Sequence, residues 1–326
     1  MKIVVDAFGG DNAPREIVSG AVNALSEREG FKVVLTGKSD EINALLKEYS
    51  FDSARVEVVE APDVITNDMA PVEAVRKMKN SSLVKGFYVL NSDPDAKGYV
   101  SAGSTGAVLT AATLLVKRKP GVLRAALAPV LPTVKGGRVI MVDCGANSEC
   151  KPEMLYNFAV LGSDMAKRSL GIQNPRIGLL SNGTEDKKGT DITRSAFASI
   201  KADEKLNFVG NMEAREILSG DYDVVVSDGF SGNIALKACE GTALAFMTLL
   251  KEGIVNGGLR AKVGYFMLKP VLKSLKTTMD YNAYGGAVML GLEKVVVKAH
   301  GSSKAKSVSA AILQALSLAE GEDREA

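Results

Sequence analysis

Val139-Ile140-Met141-Val142-Asp143-Cys144-Gly145-Ala146-Asn147 holds the pattern that decides the fold. Four apolar residues run without a polar break and then give way to a turn of aspartate, glycine and asparagine. The same order recurs five more times. Lys2 to Val5 lead into Asp6-Ala7-Phe8-Gly9-Gly10-Asp11-Asn12, and Pro14 suits the first turn of the helix beyond. Tyr99-Val100 lead into Ser101-Ala102-Gly103-Ser104-Thr105-Gly106, and Ile177 to Leu180 into Ser181-Asn182-Gly183-Thr184. Val224 to Val226 lead into Ser227-Asp228-Gly229-Phe230-Ser231-Gly232-Asn233, and Val295 to Val297 into Lys298-Ala299-His300-Gly301-Ser302-Ser303. A helical pattern follows each turn. Near-continuous Val and Ile suit strands covered on both faces. Strands alternating with helices imply a mostly parallel sheet in a three-layer α/β/α arrangement. Ligands of such sheets sit outside the carboxyl ends of the strands, so the six turns are expected to line one crevice.

The 326 residues exceed the usual size of one core, roughly 100–200 residues, which leaves one large α/β unit or two lobes. A single catalytic unit over 1–326 is the expectation. The formal charge of +2 is too small for a nucleic-acid binder, so any electrostatic function rests on local clustering. Cys144, Cys150 and Cys239 have no metal or redox spacing, and His300 is the sole histidine; no metal or cofactor is expected. Free thiols and the absence of a leader-like apolar region point to the cytoplasm. No apolar run approaches the ~20 residues that cross a bilayer; Thr105 to Val116 is shorter and reads as a buried helix.

Residues 253–279 break the pattern. Arg260, Lys262, Lys269, Lys273 and Lys276 occur there from Gly253 onward with Val263, Met267, Val271 and Leu275 at i+4 spacing and Phe266, Leu268 and Leu272 beside them. This is a basic amphipathic protrusion, and Pro270 is expected to divide it into two short helices.

The turn Ser101 to Gly106 is the best phosphate cradle. Gly103 lets backbone approach an anion, Ser104 and Thr105 bring hydroxyls, and the next helix adds free N–H groups. Asp143 and Asp228, with Asn147 and Asn233 close behind, stand at strand ends; each taken alone caps a helix as readily as it orients a ligand. Lys187, Lys188 and Arg194 offer cations, although surface lysines are usually only solvated. His300 lies at a strand exit rather than in an apolar stripe, where structural and functional roles weigh about equally. No base lies near Cys144 in sequence, which argues against a covalent cysteine.

Read together, these turns resemble the phosphate acyltransferase family of bacterial phospholipid synthesis, the PlsX proteins. The resemblance rests on Val5 to Pro14, Ser101 to Ala107, Asp143 to Asn147, Asn211 with Ile217 to Gly220, Ser227 to Asn233, and Val297 to Ser303, so it spans nearly the whole chain. Ser104 stands where the family usually has asparagine, and Asn12 where histidine is common. The resemblance implies a fold similar to phosphotransacetylases and to isocitrate and isopropylmalate dehydrogenases. It also implies a reaction in which acyl-[acyl carrier protein] and inorganic phosphate give acyl phosphate. A homodimer is implied too, working on the inner face of the cell membrane beside the downstream glycerol-phosphate acyltransferase.

On that reading, phosphate rests at Gly103, Ser104 and Thr105, with Asn147 and Lys188 as further ligands. Asp228, Asn233, His300 and Lys187 are the catalytic candidates. Phosphate attacks the thioester directly, so the site's task is positioning and oxyanion stabilisation. Val263, Phe266, Met267, Lys269, Val271 and Lys273 would meet a membrane, the acidic carrier or a second subunit. Two rivals stay open: a phosphotransacetylase-like enzyme acting on acyl-coenzyme A, and a metal- and nicotinamide-dependent dehydrogenase of related fold.

Overall fold

The computed structural model describes residues 1–278 and 285–323, with side chains at all of these except 274–278 and 322–323. The last position of the 253–279 segment, Met279, lies outside the described residues. The first half contributes β1 (Lys2–Asp6), α1 (Arg15–Glu27), β2 (Lys32–Gly37), α2 (Ser39–Leu46), β3 (Val56–Glu60), α3 (Pro71–Lys77), α4 (Ser82–Ser92), β4 (Ala96–Ser101) and α5 (Thr105–Leu115). The middle supplies β5 (Ala126–Ala128), β6 (Val130–Pro132), β7 (Arg138–Val142), α6 (Pro152–Leu170), β8 (Ile177–Ser181), α7 (Asp191–Lys201), β9 (Phe208–Glu213) and β10 (Val224–Val226). Then come α8 (Gly229–Asn256), α9 (Gly258–Thr278), β11 (Ala287–Leu290), β12 (Val295–Lys298) and α10 (Ala305–Asp323).

The six apolar runs all become strands, in α/β layers with mostly parallel pairing, but the strands form two sheets rather than one. A seven-stranded sheet has the order β3-β2-β1-β4-β12-β11-β5, and a five-stranded sheet the order β6-β7-β10-β8-β9. Among the described strands the antiparallel pairs are β11 with β12, β11 with β5, and β6 with β7. The chain passes from one sheet to the other at Pro129, between β5 and β6, where a missing N–H ends the ladder.

Helices cover both faces because the strands are apolar on both. Ile3 and Val5 pack with Val18, Ala21 and Leu25 of α1 and Val308, Ile312 and Leu316 of α10; Val4, on the opposite face, packs with α3, α4 and α5. Burying each such side chain contributes about 1.5–3 kcal/mol. The cluster around α1 and α10 continues into α6, whose Leu155, Phe158 and Met165 lie over β7 and β10 of the second sheet. The two sheets thus share one apolar interior, and their carboxyl ends face a common crevice.

The expected division at Pro270 does not occur: α9 runs through it. Proline's fixed φ is compatible with a helix, and the cost is one lost hydrogen bond and a local distortion. The break falls instead at Gly257-Gly258, where Gly258 has a φ of +70°, a left-handed conformation that glycine takes without strain. The arm formed by α8 and α9 keeps its apolar residues in the open: Leu259 is 79% exposed, Phe266 76% and Met267 74%. Val263 and Val271 of the expected stripe are exposed as well.

Candidate active site

The turns after β1 and β4 meet over Asp6. Its carboxylate, fully buried, accepts the Ser101 hydroxyl hydrogen at 2.7 Å and the Phe8 N–H at 3.3 Å. Burial raises its pKa against the pull of those donors. Ser101 Oγ in turn accepts the Gly103 N–H at 3.0 Å, which fixes the path of the chain into α5. Ser104 stands at the N-cap of α5 without a side-chain capping bond. The first N–H groups of that helix therefore have no partner in their own helix, and the positive end of its dipole opens on the crevice.

Lys298, the last residue of β12, sits in register with Ser101. It is 7% exposed, and its ammonium donates to Ala102 O at 3.4 Å and to Ala299 O. Burial, followed by repulsion from Lys237, pushes its pKa down to about 8, while Asp6 and Asp11 hold it up. It is therefore mostly a cation at neutral pH, held against the turn that leads into α5. His300 follows two residues on. The Ser302 backbone N–H donates to its Nδ1 at 3.2 Å, and Ser302 Oγ lies 2.8 Å from the same nitrogen. A backbone N–H can only donate, so Nδ1 is the acceptor and Nε2 carries the ring proton. Burial first, then Lys237, lowers the imidazole pKa, which makes His300 a neutral donor at pH 7.

The second sheet supplies the facing wall. Asp143 is 0% exposed, and its carboxylate accepts from the N–H groups of Leu127 (2.8 Å), Ala146 (3.1 Å) and Asn147 (2.7 Å) and from the Asn147 amide (2.9 Å). Burial still raises its pKa. Asp143 thereby pins the 143–147 turn to β5. The first turn of α8 lies directly beneath: a Cβ on Gly232 would fall inside the contact envelope of Asp143 O and Ser227 Oγ. That close approach explains glycine in this motif, and it brings Asn233 beside Gly145.

Between these walls lies a cavity of about 320 Å³. Thr105, Lys298 and His300 face Cys144, Asn233 and Lys237 across it, and Lys237 Nζ is paired with Glu240 at 2.7 Å. Two ammonium groups, one carboxylate, a neutral imidazole donor and a helix N-terminus are groups whose chemistry suits a small anion. Cys144 lines it as a thiol, because burial pushes its pKa well above the ordinary value.

Four of the six expected turns contribute lining residues: those at 101–106, 143–147, 227–233 and 298–303. The 6–12 turn packs behind them, with Asp11 N–H donating to Gly301 O at 2.9 Å. The 181–184 turn follows β8, which is separated from β7 by β10 and so lies about 10 Å further away. Lys187 and Lys188, on the loop after it, are exposed and outside the cavity lining. Among the proposed phosphate ligands, Thr105 lines the cavity, whereas Gly103 and Ser104 shape the turn behind it. Asn147 gives its amide hydrogens to Ala125 O and Asp143, so it ties the loop together. Asp228 caps α8 by accepting the Ser231 N–H at 2.8 Å, leaving Asn233 as that motif's contribution to the lining. Lys298, Lys237 and Asp6 were not singled out from sequence. A lysine closing the run Val295-Val296-Val297 was the available signal, since a charge at a buried strand end needs a reason. Among the described residues no group of three or more His, Cys, Asp or Glu is placed to hold a metal ion.

The fold is that of the phosphotransacetylases. It superposes on a phosphotransacetylase from Streptococcus pyogenes with a TM-score of 0.64 at 22% identity, covering 99% of this chain and 94% of that one. A phosphotransacetylase from Staphylococcus aureus gives 0.61 at 20%, covering 98% and 94%. Sequence identifies the branch: the chain belongs to the phosphate acyltransferase family. A family model described as fatty acid synthesis protein matches residues 1–323. A phosphate acyltransferase of Clostridium acetobutylicum is 45% identical over 320 residues, 98% of this chain and 96% of that protein. One from Streptococcus thermophilus is 47% identical over 312 residues, covering 96% and 92%.

Proposed function

We propose that this acyltransferase joins inorganic phosphate to a fatty acyl group delivered as a thioester on acyl carrier protein, giving acyl phosphate for phospholipid synthesis. The convergence of the α5 N-terminus, Lys298 and the Nε2–H of His300 on one small cavity carries this reading. Phosphate rests at the α5 N-terminus by Thr105, with Lys298 as counter-charge. A phosphate oxygen attacks the thioester carbonyl, and a tetrahedral oxyanion forms. His300 Nε2–H and the Asn233 amide donate to that oxyanion. The C–S bond breaks, the thiolate leaves, and the proton from phosphate goes to it, giving free thiol and acyl phosphate. A thiol with a pKa near 8.5 leaves without a strong acid. The high-pKa Cys144 thiol supports direct attack over an acyl-enzyme.

The partners follow from the α8–α9 arm. Its exposed Val263, Phe266, Met267 and Val271, with Lys269 and Lys273 interspersed, suit a peripheral attachment to anionic lipid, alongside packing against a second copy. Lys187 and Lys188, on an exposed loop, suit approach of the acidic carrier. On this reading the enzyme is cytoplasmic and works at the inner face of the membrane, where the next acyltransferase takes its product. No helix among the described residues is long and apolar enough to cross a membrane.

The phosphotransacetylase fold keeps coenzyme A thioesters as the second reading. One experiment decides: supply palmitoyl carrier protein or palmitoyl-coenzyme A at equal concentration with phosphate, and capture acyl phosphate with hydroxylamine. Phosphate-dependent hydroxamate from the carrier thioester supports the proposal. Product from the coenzyme A thioester alone refutes the carrier, and none from either refutes the reaction.

A further inference from the structure

At about 320 Å³ the reaction cavity is small for phosphate, a thioester and a long hydrocarbon chain together. A second cavity of about 440 Å³ lies between α6 and α10, and Val130 lines both. The rest of the partition is thin. Gln314 lines the second cavity, Gly286 lines the first, and Gln314 Oε1 accepts the Gly286 N–H at 2.9 Å.

The lining of this second cavity mixes apolar side chains with polar and charged ones, Glu27 and Ser317 among them. Met165 and Leu170 come from α6, Leu313 and Leu318 from α10, and small Ala310 leaves the width between them. Leu170, Leu313 and Leu318 are only partly buried although they pack against the main core. Arg138, Arg168 and Lys306 stand exposed around them. A groove of partly covered leucines that shares Val130 with the reaction cavity fits a flexible hydrocarbon tail.

We propose that the acyl chain of the substrate leaves the reaction cavity past Val130 and Gln314 and lies in the groove between α6 and α10. This rests on the reading of the chain as a fatty acyl transferase. Chain-length selectivity then resides in Ala310, Leu313 and Met165, away from the phosphate-holding residues. Bulk at Ala310 shortens the groove, and the penalty falls on substrates long enough to reach it.

The test is Ala310→Trp, assayed with butyryl and palmitoyl thioesters on the same carrier. Palmitoyl kcat/KM is expected to fall by about tenfold or more, as expected for several methylenes denied their pocket, with butyryl kcat/KM within about twofold of the parent. Equal loss on both substrates, or no loss on either, overturns the proposal. A palmitoyl thioester carrying a terminal diazirine, photolysed on the unaltered enzyme, gives an answer independent of folding of the variant. Crosslinks on α6 or α10 support the route, and crosslinks confined to the α8–α9 arm overturn it. Failure of the parent enzyme to turn over either thioester would refute the proposed reaction instead.

Discussion

Replacing Lys298 with methionine should weaken phosphate binding and stabilise the fold at the same time. The ammonium is 7% exposed, and its pKa is pushed down to about 8 from an ordinary value of 10.5. Folding with the charge in place therefore costs about 3 kcal/mol at neutral pH. Methionine keeps the chain length, removes that cost, and gives up the hydrogen bonds to Ala102 O and Ala299 O, each contributing about 1 kcal/mol. The net expectation is a variant more stable by about 1–2 kcal/mol at pH 7, read from urea unfolding.

The sign with pH follows from proton counting. Between about pH 8 and 10.5 the unfolded chain holds the Lys298 proton that the folded chain has lost, so the parent gains stability as pH rises through that window. The variant has no such gain, and its advantage fades there. Function moves the other way. A unit charge about 4 Å from a phosphate charge contributes about 4 kcal/mol at an effective dielectric near 20, so its loss should raise phosphate KM by up to roughly a thousandfold. In the parent, KM for phosphate should climb above about pH 8 as the amine loses its proton. A variant that is both inactive and less stable would refute the reasoning, since it would make Lys298 a structural residue. Unchanged phosphate KM would refute it equally.

Other outcomes follow from the same geometry. His300→Ala should lower kcat by roughly 10²–10³-fold with phosphate KM little changed, because the lost donor acts on the oxyanion; steady-state kinetics with both substrates varied checks this. Gly232→Ala places a Cβ against Asp143 O and Ser227 Oγ and should destabilise by roughly 3 kcal/mol or more, visible in thermal unfolding. Cys144→Ser should keep most of the activity, and no acylated Cys144 should appear by mass spectrometry after rapid quench. Val263→Asp or Met267→Asp should abolish flotation with anionic liposomes while leaving solution-phase turnover intact, and unchanged flotation would remove the membrane reading.

The strands that position the site were legible because they are continuous Val and Ile runs ending in glycine-polar turns. β5, only Ala126-Leu127-Ala128, and β6, Val130-Leu131-Pro132, were not. Three residues carry no period, and these strands exist because tertiary neighbours offer them ladders. For the same reason the division into two sheets was invisible: it depends on where Pro129 turns the chain. The motifs holding Asp143 and Asp228 were found, but their roles as loop pin and helix cap depend on three-dimensional partners that spacing does not reveal. At Pro270 a local rule gives the wrong boundary: the helix continues through the proline, and the break falls earlier, at Gly257-Gly258. Lys298 closes its motif in the sequence, but its burial near Asp6 follows only when β12 lies beside β4.

The central claim is that a small tetrahedral anion belongs where the start of α5 meets Lys298 and His300. A crystal structure with tungstate, whose anomalous signal marks a phosphate position, tests it most directly. Density within hydrogen-bonding reach of the α5 N-terminus, Lys298 Nζ and His300 Nε2 is the predicted result. Density only on the exposed loop of Lys187 and Lys188, with that cavity empty, would contradict it.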